Sequence, residues 1–378
     1  MKIGLVCPYS INKHGGVLEV VLALRDGLVK AGHEVKIITP KPRAHMEKPP
    51  KGVIFVGTST DFRTLTFSET TSQVSSTAET ELIDKILAEE KFDILHFHEP
   101  WNPLLSRQLL QRSQSVNIAT FHAAVSDAIT TRSLLKVVNP YLKSVMKYLH
   151  VLTAVSPSAT EYVSTMTDQP ITIIPNGIDL AKYKTSDRKP EPGQPKTIFY
   201  LGRLERRKGA MHLLSAYQVL AQDNPDIRLL IAGDGPDREK LELLAEDLKL
   251  PNVSFLGYID EALKLELLAE ADIFCSPALY GESFGIVLLE AMATGAVAIA
   301  GNNPGYIDVM DGIGALSIVN PTDTEEFARR LNLLLNEPKI RKVWQDWATE
   351  YVQQFSYPHV IGQYEQLYEE ALAQYGQN

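Results

Sequence analysis

Strand-like and helix-like stretches alternate along almost the whole chain, and this alternation constrains the fold more than any other feature. Strands alternating with helix-length segments argue for parallel sheets with crossover helices, because a parallel connection needs a long crossover. In the first half the predicted strands are Ile3 to Cys7, Glu34 to Ile38, Val53 to Val56, Ile94 to Phe97, Ile118 to Phe121, Leu152 to Val155 and Ile171 to Ile174. Helices are predicted over Val17 to Lys30, Thr80 to Glu89 and Arg132 to Leu149. Residues 57 to 79, rich in Ser and Thr, read as a long polar loop. A polar, proline-rich stretch at 185 to 195 reads as a linker, and a second alternating series follows it. Its strands are Thr197 to Leu201, Arg228 to Ala232, Val253 to Leu256, Asp272 to Cys275, Val297 to Ala300 and Leu316 to Val319, and helical patterns near 339–354 and 360–374 close the chain. The expected architecture is α/β, with two Rossmann-like doubly wound domains facing an interdomain cleft.

Composition narrows the function. The 378 residues carry a net charge of −9, which argues against nucleic acid as a partner. The longest apolar stretch, near 285 to 301, contains Glu290 and Gly295 and does not read as a membrane span. Cys7 and Cys275 are the two cysteines, so no disulfide framework is expected and a reducing cytoplasm fits.

Residues 280 to 290 read Tyr-Gly-Glu-Ser-Phe-Gly-Ile-Val-Leu-Leu-Glu after an apolar strand. A helix is expected from about Phe284 to Thr294, ended by Gly295, with Gly281, Glu282 and Ser283 in the preceding loop. The first N–H groups of such a helix, at Phe284, Gly285 and Ile286, welcome an anion. Glu290 sits among Ile286, Val287, Leu288, Leu289, Ala291 and Met292. A carboxylate on so apolar a helix needs donors, which a ribose diol, a backbone group or a cation could each supply.

Other loops carry polar chemistry at predicted strand ends. Tyr9 and Gly15-Gly16 follow the first strand without forming G-x-G-x-x-G, and two glycines at a helix start let a phosphate or sugar approach the backbone. His96 and His98 share one face of their strand, with Glu99 beside them. With no D-x-D motif, a structural or acceptor-side role is read in preference to a metal site. His122 ends another strand. Arg203, Arg207 and Lys208 lie within one loop, where a fork and a point charge together suit a diphosphate, although a solvated basic loop is the commoner case. Asp260, Glu261 and Lys264 follow the Val253 strand.

Glu282 and Glu290, with Ser-Phe-Gly-Ile-Val-Leu between them, resemble the E-x7-E signature of retaining GT-B glycosyltransferases of family 4, and the wider stretch resembles the bacterial phosphatidylinositol mannosyltransferases. The resemblance covers nearly the whole chain. It implies an acceptor-side domain of residues 1–178 plus 358–378 and a nucleotide-sugar domain of residues 179–357. It implies that His122, Arg203, Lys208 and Glu282 serve catalysis. Donor binding falls to Gly16, Arg203, Arg207, Lys208, Asp260, Glu261, Lys264, Glu282, Ser283, Phe284, Gly285, Ile286, Val287 and Glu290. Acceptor binding falls to Tyr9, Gly15 and Arg63. No metal or cofactor is required, and the donor is a nucleotide diphosphate sugar, GDP-mannose favoured and a UDP-sugar still open. Asp260-Glu261 stands where relatives have two aspartates toward guanine, which weakens the guanine expectation.

The acceptor half departs further. Leu18 replaces a glutamine, and an acidic segment at 79–90 replaces a basic, membrane-contacting helix. Arg132, Lys136, Lys143 and Lys147 form a stripe that reads either as a solvated face or as a surface against anionic lipid. The expected acceptor is a phosphatidylinositol-type lipid, with peripheral attachment at the inner face of the plasma membrane. A soluble polyol, sugar or sugar phosphate is the alternative. A non-catalytic nucleotide-sugar sensor and a glycoside hydrolase using Glu282 and Glu290 are rivals of other classes. The hydrolase leaves the basic loop unexplained.

Overall fold

Ile3, Leu5 and Cys7 are fully buried because β1 (Lys2–Val6) lies inside its sheet and these side chains share a core with Leu24, Leu28, Ile361 and Tyr364. The computed structural model describes residues 1–12, 15–43, 49–63, 71–75, 78–101, 105–123, 139–183 and 194–376. The chain divides into two units, Met1–Gly177 with Tyr357–Asn378, and Ile178–Ser356.

The sheet of the first unit adds β2 (Glu34–Lys41), β3 (Val53–Arg63), β4 (Thr71–Ser75), β5 (Ile94–His98), β6 (Val116–Phe121), β7 (Val151–Ala154) and β8 (Ile171–Ile173). Their order is β4-β3-β2-β1-β5-β6-β7-β8. Every neighbouring pair is parallel except β3 with β4. The antiparallel β3–β4 pair corrects the expected loop at 57–79. Thr58, Ser59 and Thr60 are polar enough to resemble a loop, yet branched threonines suit an extended chain at a sheet edge.

The second unit repeats the plan with β9 (Lys196–Leu201), β10 (Ile227–Ala232), β11 (Val253–Gly257), β12 (Ile273–Ser276), β13 (Val297–Gly301) and β14 (Ile318–Val319). The order is β11-β10-β9-β12-β13-β14, all parallel. This unit begins at Ile178, before the expected linker, of which residues 184–193 lie outside the described residues.

Strand order reverses between β1 and β5 in one sheet and between β9 and β12 in the other. Chains leaving the carboxyl ends of such a pair diverge and open a crevice, the usual ligand site of a doubly wound sheet. The loops after β1, β5 and β6 carry Tyr9, Glu99 and His122, and those after β9 and β12 carry Arg203 to Lys208 and Glu282.

The last helix, Tyr357–Tyr375, belongs to the first unit and buries Val360, Ile361, Tyr364, Tyr368 and Ala371. It approaches the first helix, Gly16–Lys30, so closely that a Cβ on Gly27 would lie 1.9 Å from Ile361 Cδ1.

Candidate active site

The loop after β9 is the charged centre of the second unit. It runs through a short turn, Arg206–Lys208, into Gly209, whose φ of +74° ends the turn. A Cβ at Gly209 would lie 2.0 Å from the Pro277 carbonyl, so glycine here lets the loops after β9 and β12 touch. Lys208 Nζ then lies 2.7 Å from Glu282 Oε1, and Arg207 Nη1 donates to the same oxygen at 2.6 Å. Arg207 Nε lies 2.6 Å from Glu205 Oε1, off the hydrogen-bonding direction, as an ion pair. Arg203, about half exposed, reaches Glu205 Oε2 at 3.3 Å. Burial opposes the charged form of Arg207, but Glu282 and Glu205 outweigh it and its pKa is raised. Three cations face two carboxylates in this cluster, one positive charge in excess.

The helix after Glu282 starts at Ile286 and not near Phe284. Gly285 takes φ +93°, outside the helical region, and a Cβ there would meet the Tyr306 ring at 2.7 Å. Phe284 is buried and packs edge-on against Phe355. The helix-start N–H groups therefore begin at Ile286 and Val287. Gly295, at φ +85°, ends the helix where the sequence places its stop.

Glu290 is 8% exposed on that helix. Its Oε1 accepts from Tyr183 Oη at 2.7 Å and from Lys264 Nζ at 3.0 Å. Burial opposes the charge on Lys264, yet Glu290 and Glu261 raise its pKa. Lys264 also pairs with Glu261 at 2.9 Å. Asp260 caps its helix, with Oδ1 accepting from the Leu263 N–H at 2.9 Å.

In the first unit Gly15 is extended (φ −178°) and Gly16 begins the first helix. No described atom lies within 4 Å of a Cβ built on either. Tyr9 is partly buried, and its carbonyl accepts from Thr39 Oγ1 at 2.7 Å. Leu18 packs in the hydrophobic core, so this position offers no polar contact to an acceptor. Arg63 ends β3, and its side chain is outside the described residues, as are Arg132 and Lys136. Lys143 and Lys147 are exposed, whereas the neighbouring Leu142, Val145, Met146 and Leu149 are buried in the protein. The apolar side of that stripe is thus committed to the core.

His96, His98 and His122 form a buried group. His98 Nδ1 lies 2.9 Å from His122 Nε2. His96 bridges Tyr368 Oη at 2.7 Å and Thr120 Oγ1 at 2.6 Å. Glu99, at φ +52°, accepts the His122 N–H on Oε1 at 2.5 Å. Burial pushes His96 and His122 down to about 3 and His98 well below its ordinary value, and it pushes Glu99 up to about 7.

These shifts make stability depend on pH. An unfolded histidine titrates near about 6.5, so between there and 3 the unfolded chain binds protons that the folded rings refuse. Their contribution is complete above that window and is lost as pH falls through it. Glu99 works oppositely, since its raised folded pKa makes stability fall as pH rises toward 7. Three histidines outnumber one glutamate, so the melting temperature is expected to drop steadily as pH is lowered from 6.5 to 4. A flat or rising profile there would contradict three buried neutral rings.

Sequence reading alone misses several residues that build these sites. Glu205 is hidden in a run of like-looking charges. Tyr183 lies beside the linker and gives no signal of its partner. Gly305 packs so close that a Cβ would lie 2.2 Å from the Glu282 carbonyl, and Asn303 Nδ2 donates to the Ala278 carbonyl at 2.9 Å. The Gly-Asn-Asn-Pro-Gly run after β13 is the available sign of that support.

Comparison with known proteins fits this geometry. Residues 182–351 match the family described as glycosyl transferases group 1, and residues 14–182 match glycosyltransferase family 4. Phosphatidyl-myo-inositol mannosyltransferase of Mycolicibacterium smegmatis is 33% identical over 98% of this chain and 94% of its own. The chain belongs to glycosyltransferase family 4. The Mycobacterium tuberculosis protein of the same name is 32% identical over 98% of this chain and 97% of its own. Among solved structures, sucrose-phosphate synthase from Thermosynechococcus elongatus superposes with a TM-score of 0.74, at 21% identity, over 98% of this chain and 99% of that one. The family 4 enzyme thus has the GT-B fold, with two parallel-sheet Rossmann-like domains, and uses a nucleotide-sugar donor. Among the described residues no helix is long and apolar enough to cross a membrane.

Proposed function

We propose that this glycosyltransferase moves mannose from GDP-mannose to a phosphatidylinositol-type acceptor with retention of configuration. The full-length similarity to proteins named phosphatidyl-myo-inositol mannosyltransferase supports the mannosyl group and the acceptor of this reading. The chemistry follows from the charged cluster. As the glycosidic bond breaks, negative charge builds on the leaving diphosphate. Arg203, Lys208 and the N–H groups at Ile286 and Val287 stabilise it more strongly than the ground state. Glu282, held by Arg207 and Lys208, orients the sugar, and Glu290, held by Tyr183 and Lys264, orients the ribose. His122 supports positive character at the anomeric carbon through its carbonyl and binds a sugar hydroxyl through its ring. Attack comes from the leaving-group face, with a diphosphate oxygen taking the acceptor proton. Tyr9, Gly15 and Arg63 are assigned to the acceptor, and Gly16, Asp260 and Glu261 to the donor.

Two experiments test this. GDP-mannose is expected to raise the melting temperature more than UDP-sugars do, because a ligand that binds only the native state stabilises it by mass action. With that donor, mannose should appear on phosphatidylinositol in vesicles and not on free inositol. Preference for a UDP-sugar or a soluble polyol would leave the family assignment and remove the donor or acceptor assignment. The protein should co-sediment with anionic vesicles at low salt and release at high salt, since each basic residue near such a surface contributes about 1 kcal/mol.

Transfer should also survive exhaustive EDTA treatment, because Arg203 and Lys208 supply positive charge at the diphosphate. Complete loss that magnesium restores would replace this mechanism with a metal-assisted one.

A further inference from the structure

We infer that His98 is a positioning residue that fixes the tautomer and ring plane of His122, so that His122 presents an Nδ1–H donor to its ligand. The inference rests on the reading of His122 as the ring that meets the sugar. His98 is fully buried while His122 keeps 8% exposure, so a ligand can reach this pair only through His122.

The 2.9 Å contact between His98 Nδ1 and His122 Nε2 holds one proton. Two hydrogens there would meet head-on across 2.9 Å, and a second proton on either ring is disfavoured by burial near neutrality. Two bare nitrogens would set lone pair against lone pair. One proton leaves two arrangements of neutral rings. In one, His122 donates from Nε2, and the single hydrogen of His98 must sit on its own Nε2. That atom is buried with no hydrogen-bond partner among the described residues, so an N–H would be stranded. In the other, His98 donates from Nδ1, the stranded atom is a bare lone pair, and His122 carries its hydrogen on Nδ1. Orphaned buried N–H groups are the rarer kind in folded proteins, and the geometry favours the second arrangement.

The surroundings hold both rings in place. The His96 ring lies 4.3 Å behind His98 and is itself fixed by Tyr368 and Thr120. Glu99 Oε1 holds the His122 N–H from the other side. Removing His98 frees His122 to take either tautomer and to turn.

The test uses the full chain with its nine histidines labelled with nitrogen-15 and read by long-range proton–nitrogen spectra at pH 7. Wild-type His98 and His122 should both be protonated on Nδ1. In His98→Phe the His122 signals should shift toward a tautomer mixture, and kcat should fall about tenfold with donor KM unchanged. His98→Asn, whose amide can donate from the Nδ1 position, should restore most of both. A wild-type His122 protonated on Nε2 overturns the inference, and so does a His98→Phe enzyme with wild-type kcat and unmoved His122 signals. If His98→Phe does not fold, the wild-type spectrum alone decides. The spectra need no substrate, so a chain that transfers no sugar defeats the proposed function while the tautomer is still read.

Discussion

Gly16→Val is expected to cut sugar transfer by about a hundredfold or more while leaving the melting temperature unchanged or slightly higher. Nothing described lies within 4 Å of a Cβ at this position, and the preceding Gly15 is in an ordinary extended conformation. The fold therefore gives no steric reason for glycine here, and valine would reduce the freedom of the unfolded chain. Gly15 at the N-cap supplies no side-chain cap, and the N–H groups of a helix start suit an anion. A branched side chain would stand where the proposed donor site puts the diphosphate against the backbone. Steady-state kinetics beside a thermal melt checks this. Full activity in a well-folded Gly16→Val enzyme would remove the helix start from the donor site.

Lys208→Ala and Arg207→Ala should fail in different ways. In the proposed mechanism Lys208→Ala removes one charge donor from the leaving group, an expected loss of about 3 kcal/mol in the transition state and roughly a hundredfold in kcat. Glu282 keeps its 2.6 Å bond from Arg207, so the fold should hold. Arg207→Ala leaves both Glu205 and Glu282, each largely buried, without their shared guanidinium. Breaking a buried pair from one side costs about 3 kcal/mol or more of stability, so a clearly lower melting temperature is expected. Arg203 is about half exposed, and Arg203→Ala should resemble Lys208→Ala. Equal melting temperatures for Lys208→Ala and Arg207→Ala would refute the distinction.

The alternation of β-branched strands with helix-period segments made both sheets legible, because a parallel pairing leaves few other ways to arrange such a chain. Gly295 was legible as a helix stop because the position needs positive φ. The start of the same helix was not, since nothing in Ser-Phe-Gly-Ile reveals that Gly285 turns left-handed against Tyr306. The β4 strand was missed because Ser and Thr serve turns and edge strands alike. Glu290 announced its need for donors through its apolar neighbours. Its donors, 26 and 107 residues away, were not readable, because only the tertiary fold brings them near. His98 and His122 meet for a similar reason. The register of β5 on β6 pairs His98 with Thr120, two residues before His122, and register is not written in either strand alone.

The return of the last helix to the first unit has a consequence for how the protein is made. Residues 178–356 form one uninterrupted unit and are complete on the ribosome before Tyr357 is added. The earlier-made residues 1–177 must wait. Until Tyr357–Tyr375 emerges, Gly27 lacks the cover of Ile361, and His96 lacks the hydroxyl of Tyr368. The part translated first is thus the part finished last. Its unfilled groove is exposed throughout synthesis of the second unit, and a nascent chain paused near Ser356 offers a chaperone an apolar face with a buried polar seam still open.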